Sequence, residues 1–149
     1  MLFLLLATAC AGLFCGAALY VNLVEHPARI SCGPELAVRE FAPSYQRATI
    51  MQVSLAMGGL ALGLGAAWQL RAAWVAAGAA LLGASVPFTL IVIFPINKRL
   101  LDPALDPRSI QTAGLLRRWN MLHGLRTALS AAAFGLLLFC LAASRGSAW

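Results

Sequence analysis

Trp119, His123, Arg126 and Ser130 are spaced four, three and four residues apart, which on a helix makes one stripe. A neutral imidazole can act as a general base near pH 7. A guanidinium beside it can hold an enolate or phenolate oxygen in a dry, low-dielectric pocket. Asn97 and Gln52 supply further donors for that oxygen, and Trp119 and Tyr45 supply aromatic faces on which a flat substrate could stack. The second of the two histidines is His26. With Asn22 and Glu25 it lies on one face by i+3 and i+4 spacing, and Tyr45, Thr49 and Gln52 form another such face. The catalytic candidates are His123, Arg126, His26 and Asn97. Trp119, Tyr45, Gln52, Asn22 and Glu25 are the substrate-binding candidates.

The same residues admit other readings. Two histidines on separate helices could ligate one haem iron from both faces, and with Glu25 they could hold copper or non-haem iron. No metal or cofactor is favoured, because two histidines are few for a tight site. Tryptophan, tyrosine, arginine and histidine also gather at membrane interfaces as anchors, with long side chains reaching toward water, which accounts for Arg47, Lys98, Arg117 and Arg118 without a site. It accounts less well for Arg126, two turns inside an apolar run, where an arginine costs roughly 2.5–3.5 kcal/mol near a span centre. Glu25 is its expected partner. There is no Ser-His-acid order, no glycine-rich phosphate loop and no His-Glu-x-x-His, so hydrolysis, phosphoryl transfer and zincin chemistry have no support.

The elements that must position these groups are apolar helices. Of 149 residues, 61% are hydrophobic and 11% charged, against about 25% charged in a soluble domain. Met1–Val24, Ala48–Leu70, Ala72–Asn97 and Thr127–Ser144 contain no Asp, Glu, Lys or Arg. About 20 residues of helix cross a bilayer, and the last stretch reaches that length when counted from Met121. The expectation is an all-α, antiparallel bundle of four transmembrane helices, spanning approximately 1–24, 48–70, 72–96 and 121–143, in a single membrane domain over 1–149. The first stretch lacks a basic n-region and is long for a signal core, so it is read as a retained helix.

Loops 25–47 and 98–118 then share one side with eight basic residues, while Arg71 and Arg145 lie on the other. That bias predicts an inner or plasma membrane protein with cytoplasmic loops and both termini outside. The net charge of +6 is a topology signal, and no aromatic–basic interleaving suggests nucleic acid. The partners expected are the lipid bilayer and a lipophilic small molecule. Cys10, Cys15 and Cys140 fall in apolar runs, Cys32 falls in a loop, and no Cys-x-x-Cys pair is present, so the cysteines read as structural.

In the first loop, Gly33-Pro34 is a breaker, "ELAVREF" is two helical turns, and Ser44 is placed to cap the second span. In the second, Asp106 is placed to cap a helix starting at Pro107 and running through Leu115 and Leu116, with Gly124 a possible bend. Gly12-x-x-x-Gly16, Gly59-x-x-x-Gly63 and Ala79-x-x-x-Gly83 allow close helix approach and, on exposed faces, a homo-oligomer. Pro87 should kink the third helix.

The segments "YVNLVEHPAR" (20–29), "PSYQRATIMQ" (43–52), "FPINKRL" (94–100) and "RRWNMLHGLRT" (117–127) resemble the anthrone oxygenase-like membrane family, in the same four-helix order and over almost the whole chain. The resemblance implies a small integral membrane protein, some of whose relatives oxidise polyketide anthrones to anthraquinones with dioxygen and no known cofactor. By motif position it singles out His26, Asn97, Trp119, His123 and Arg126. The function expected is a cofactor-independent oxygenase or related oxidoreductase acting on a lipophilic, aromatic molecule of anthrone, polyketide or quinol type. The alternative is a non-enzymatic membrane protein, either a haem or metal carrier using His26 and His123, or an assembly factor.

Overall fold

The computed structural model describes the backbone of residues 1–146 and side chains through Ser144. The side chain of Arg145, one of the two basic residues expected opposite the loops, lies outside the described residues. The chain is all helical and packs as a bundle of four long apolar helices that could cross a membrane, at 2–31, 34–70, 73–100 and 110–144. The first comprises α1 (Leu2–Tyr20), a π-turn (Val21–Glu25) and α2 (His26–Ser31). The second is α3 (Pro34–Leu70) without interruption. The third comprises α4 (Ala73–Phe88), a second π-turn (Thr89–Ile93) and α5 (Phe94–Leu100), and the fourth is α6 (Ile110–Gly146).

Each long helix packs on two neighbours, in the cyclic order first, second, third, fourth. The two connections of loop character, at 32–33 and 101–109, lie at one end, here called the loop end. The α3–α4 connection lies at the other and consists of Arg71, in the left-handed region at φ 50°, and Ala72. A connection this short forces α3 and α4 to be antiparallel neighbours.

Away from the loop end, small residues set the spacing. A Cβ added at Gly63 would stand 2.5 Å from Ala79 Cβ, and one at Gly59 would stand 2.5 Å from a Leu82 methyl. Gly83 receives Leu60, and Gly78 receives Leu137. In lipid, burial of apolar surface no longer drives association, so close backbone approach has to supply the attraction. The expected Gly59/Gly63 and Ala79/Gly83 faces are thus used within the chain. Gly12 packs on Phe134, but Gly16 has no neighbour within 4 Å. Around these contacts Leu4, Ala11, Phe14, Ala56, Val75, Leu82 and Leu137 form one core.

The helices run further than their charge-free stretches. Gly33, at φ 97°, turns the chain, and Pro34 opens α3 at the position where a missing amide hydrogen is harmless. Pro43 then lies inside α3 instead of ending the preceding turns. Ser44 is therefore no cap; its hydroxyl donates to Glu25 Oε1 (2.6 Å). Pro107 likewise does not begin α6. Asp106 closes a turn through Arg108 N (3.0 Å), and the cap is Ser109, whose Oγ accepts from Thr112 N (3.2 Å). From there α6 continues through Leu115, Leu116 and Gly124 without a break. Pro87 is followed two residues later by the π-turn, in keeping with the freed carbonyl one turn behind a proline.

Candidate functional site

Both π-turns lie near the loop end, where the core changes character. Here Phe41, Ile93, Ile96, Leu116 and Trp119 form a second apolar cluster, and the buried polar residues His26, Arg29, Gln52, Asn97, Thr112, His123, Arg126 and Thr127 lie at this end of the bundle or just behind it. A π-turn adds a residue to one helical turn and so rotates everything beyond it. Beyond Thr89–Ile93 that rotation leaves Phe94 and Pro95 exposed and Asn97 only 1% exposed. On α6, which is regular, the stripe needs no such device: Trp119, His123, Arg126 and Ser130 are all buried.

A cavity of about 90 Å³ opens beside this stripe. Tyr45, Gln52, Asn97, Trp119, His123 and Arg126 all contribute to its wall, and Phe14, Val86 and Ile93 are among the apolar residues that line the rest. Val53, Leu90 and Phe94 also border it and are exposed on the outer surface between α3 and the third helix. The cavity therefore adjoins the side of the bundle that faces lipid.

Arg126 is the centre of its polar wall. Nη2 donates to Gln52 Oε1 (2.7 Å) and to His123 Nε2 (2.6 Å), and Nη1 reaches Thr89 Oγ1 at 3.5 Å. The guanidinium also lies 5.5 Å from the Phe14 ring centre. Nε is buried without a hydrogen-bond partner. The expected partner, Glu25, is elsewhere: its carboxylate pairs with Arg29 and accepts from Ser44. Among the described residues Arg126 has no carboxylate partner; the ion pairs are Arg29–Glu25, Arg29–Glu40 and Arg108–Glu35.

The contacts of His123 fix its tautomer. Asn22 Nδ2 donates to Asn120 Oδ1 (2.9 Å) and to Asn120 O (3.2 Å), so Asn22 Oδ1 is the atom turned to His123 Nδ1, at 2.7 Å. Nδ1 must then carry the proton, and Nε2 presents its lone pair to the guanidinium, which can only donate. Thr127 Oγ1 lies 2.6 Å from the same Asn22 oxygen. Asn22 is therefore behind the site and orients His123, and Asn120 and Thr127 belong to the same network. Neither was singled out as a candidate from the sequence, although Asn120 lies three before His123 and Thr127 four after it, spacings that share its face.

Three candidates do not line the cavity. Asn22 has the orienting position just described. Glu25 belongs to an ion cluster in which Arg29, 5% exposed, also places Nε 2.8 Å from Glu40 Oε2. His26 is buried against Trp119, ring centres 5.3 Å apart, with Nδ1 lacking a hydrogen-bond partner. His123 packs on the same indole at 4.8 Å. Phe41 meets it edge-on at 5.4 Å, and the Arg29 guanidinium lies 5.9 Å from it. Trp119 Nε1 donates to Asn97 Oδ1 (2.8 Å). Each partner fixes Trp119 in the wall.

The arrangement does not fit a metal or haem iron held by His26, His123 and Glu25. Both nitrogens of His123 are engaged, the one facing the cavity by a cation that would repel a metal ion. Glu25 is committed to Arg29 and Ser44. No group of three or more metal-ligating side chains occurs among the described residues. What the wall can do is bind an apolar body and stabilise negative charge on an oxygen beside Arg126.

No curated protein and no solved structure matches the chain. The profile of one protein family does: the family described as anthrone oxygenase matches residues 41–136, a segment that includes Tyr45, Gln52, Asn97, Trp119, His123 and Arg126.

Proposed function

The chain belongs to the anthrone oxygenase family, and from that premise we propose that the cavity is the active site of a membrane-embedded, cofactor-independent oxygenase acting on a lipophilic aromatic molecule of anthrone or quinol type. The observation that carries this reading is the pairing of an apolar cavity with one polar wall, in which Arg126 and His123 touch and Trp119 lies alongside. With an anthrone the overall change is balanced: the methylene carbon and one O2 become a ketone and one water. The methylene gives up a proton, and the resulting carbanion, delocalised onto the ring ketone oxygen, transfers electrons to O2. A carbon–oxygen bond forms to give a hydroperoxide at that carbon. Loss of the remaining C–H proton with cleavage of the O–O bond releases water and leaves the new ketone.

The roles follow from the contacts. Arg126, with a donor to spare at Nη1, receives the oxygen on which charge develops. Its transfer to that oxygen frees His123 Nε2 to take the proton, and Asn22 keeps Nδ1 protonated so that Nε2 is the basic nitrogen. Trp119, held by Asn97, and Tyr45 provide the aromatic walls. In the membrane we place both loops in the cytoplasm and the termini outside, so the site lies toward the inner leaflet. The test is oxygen uptake by purified protein with anthrone, together with a visible spectrum and metal analysis. Uptake at stoichiometrically negligible metal and haem is the expected result. Activity that tracks bound haem, copper or iron would refute the cofactor-free reading.

A further inference from the structure

Arg126 lines the cavity, is 8% exposed and contacts only neutral acceptors, and its Nε is buried without a hydrogen-bond partner. A guanidinium stays protonated in a protein, and an unpaired buried charge is costly. Nothing among the described residues neutralises it. We propose that the resting pocket is a receptor for lipophilic organic acids in their ionised form: a carboxylate or phenolate at one end of an apolar body, taken from the bilayer, is the counter-ion of Arg126. The inference rests on the same pocket as the oxygenase reading, but not on any oxidative step.

The surroundings favour this class over a small free anion. Apart from the arginine wall the cavity is mostly apolar, and Val53, Leu90 and Phe94 border it where it adjoins the outer surface. A molecule seated there meets Arg126 at its polar end, beside Val86, Ile93 and Phe14; a cavity of about 90 Å³ takes that end, and the rest of the body lies outward along Val53, Leu90 and Phe94. Phosphate or chloride would lose its hydration and gain a single partner, whereas an amphiphile also gains the apolar wall. The anion would take the Arg126 donor now directed at His123 Nε2, which the neutral alcohol of the same skeleton cannot match as a charge-assisted pair.

The experiment uses full-length protein in phosphatidylcholine nanodiscs, which carry no net lipid charge. Binding of 1-pyrenebutyrate and 1-pyrenebutanol is read by energy transfer from tryptophan to pyrene, corrected with protein-free discs. A hydrogen bond to a charged group predicts about tenfold to a hundredfold tighter binding of the acid. Arg126→Gln should erase that preference while alcohol binding persists, which also shows that the pocket is folded, and Arg126→Lys should retain it. Equal affinity of acid and alcohol for the unmodified protein overturns the proposal, as does a preference that survives Arg126→Gln. Displacement by oleate assigns the site to single-chain lipid acids, and displacement by 9-anthroate alone assigns it to flat aromatic acids. Failure of both to displace overturns it. Acid binding without oxygen uptake leaves the receptor standing and removes the oxygenase; uptake unaffected by saturating pyrenebutyrate does the reverse.

Discussion

His123 and Arg126 touch at 2.6 Å, and each is expected to fail differently when replaced. His123→Gln keeps a hydrogen-bonding side chain but loses the proton acceptor. Positioned acid–base catalysis contributes about 10²–10⁴-fold, so oxygen uptake should fall by that range while the melting temperature changes little. Full uptake by the folded variant would remove the proposed base. Arg126→Met removes a charge that has no carboxylate among the described residues, and cavities of this kind accept an apolar chain. Its melting temperature in the absence of ligand should equal or exceed that of the unmodified protein, because apolar replacement of buried charges is often neutral or stabilising. A loss of several degrees would mean that the guanidinium is better compensated than its neighbours suggest. Arg117→Lys, on an exposed position of α6, should leave uptake unchanged. The α6 stripe was legible in the sequence because its helix is regular over the whole stretch, so spacing alone placed Trp119, His123 and Arg126 on one face. The role of Asn22 was not legible, since its partners lie about a hundred positions away, and the pairing of Arg126 with Glu25 failed because Arg29, one turn beyond Glu25, takes that carboxylate.

Between α3 and α4 the spacing is set by atoms that are missing. Gly63→Ala would place a methyl 2.5 Å from Ala79 Cβ, with backbone just behind it, so the helices must separate. Overpacking costs about 1–3 kcal/mol, to be read as a lowered melting temperature. Ala79→Gly in the same chain should restore most of it, and an equal loss in the double variant would show that the two residues do not share one contact. Gly16→Ala, with no neighbour within 4 Å, should be neutral or slightly stabilising through helix propensity. The sequence located all four long helices from their uncharged runs but misjudged their ends at the loop side. Pro107, taken as the first residue of the last helix, lies three positions before Ile110, and Pro43 was taken as a boundary. Yet a proline within a long helix costs one hydrogen bond that neighbouring structure can offset, and the arginine–glutamate cluster around Arg29 packs the polar turns that the charge count assigned to a loop. Neither π-turn has a signature in composition; each displays itself only in which later residues turn inward.

The molecule as a whole divides its bundle by depth, with glycine and alanine seams away from the loops and a polar cavity near them. If the basic loops are cytoplasmic, a reporter fused at Arg108 and one fused at the C-terminus should report opposite sides of the membrane. Two reporters on the same side would discard that topology. The four-helix plan was readable because each uncharged run is long enough to span and the basic residues gather in the two loops between them, whereas the cavity was not, since a void is a property of four surfaces together. The two-residue connection at Arg71 and Ala72 and the contact of Gly63 with Ala79 make one end of the α3–α4 pair a fulcrum. From Gly63 to Tyr45 the helix extends about 27 Å at 1.5 Å per residue, so a change of about 5° in their crossing displaces Tyr45 from its facing residues by about 2 Å. The lever arm is long and the load is small. A methyl-sized clearance at Gly63 would then bear on the room beside Arg126, whose partner Gln52 lies about three turns away along α3.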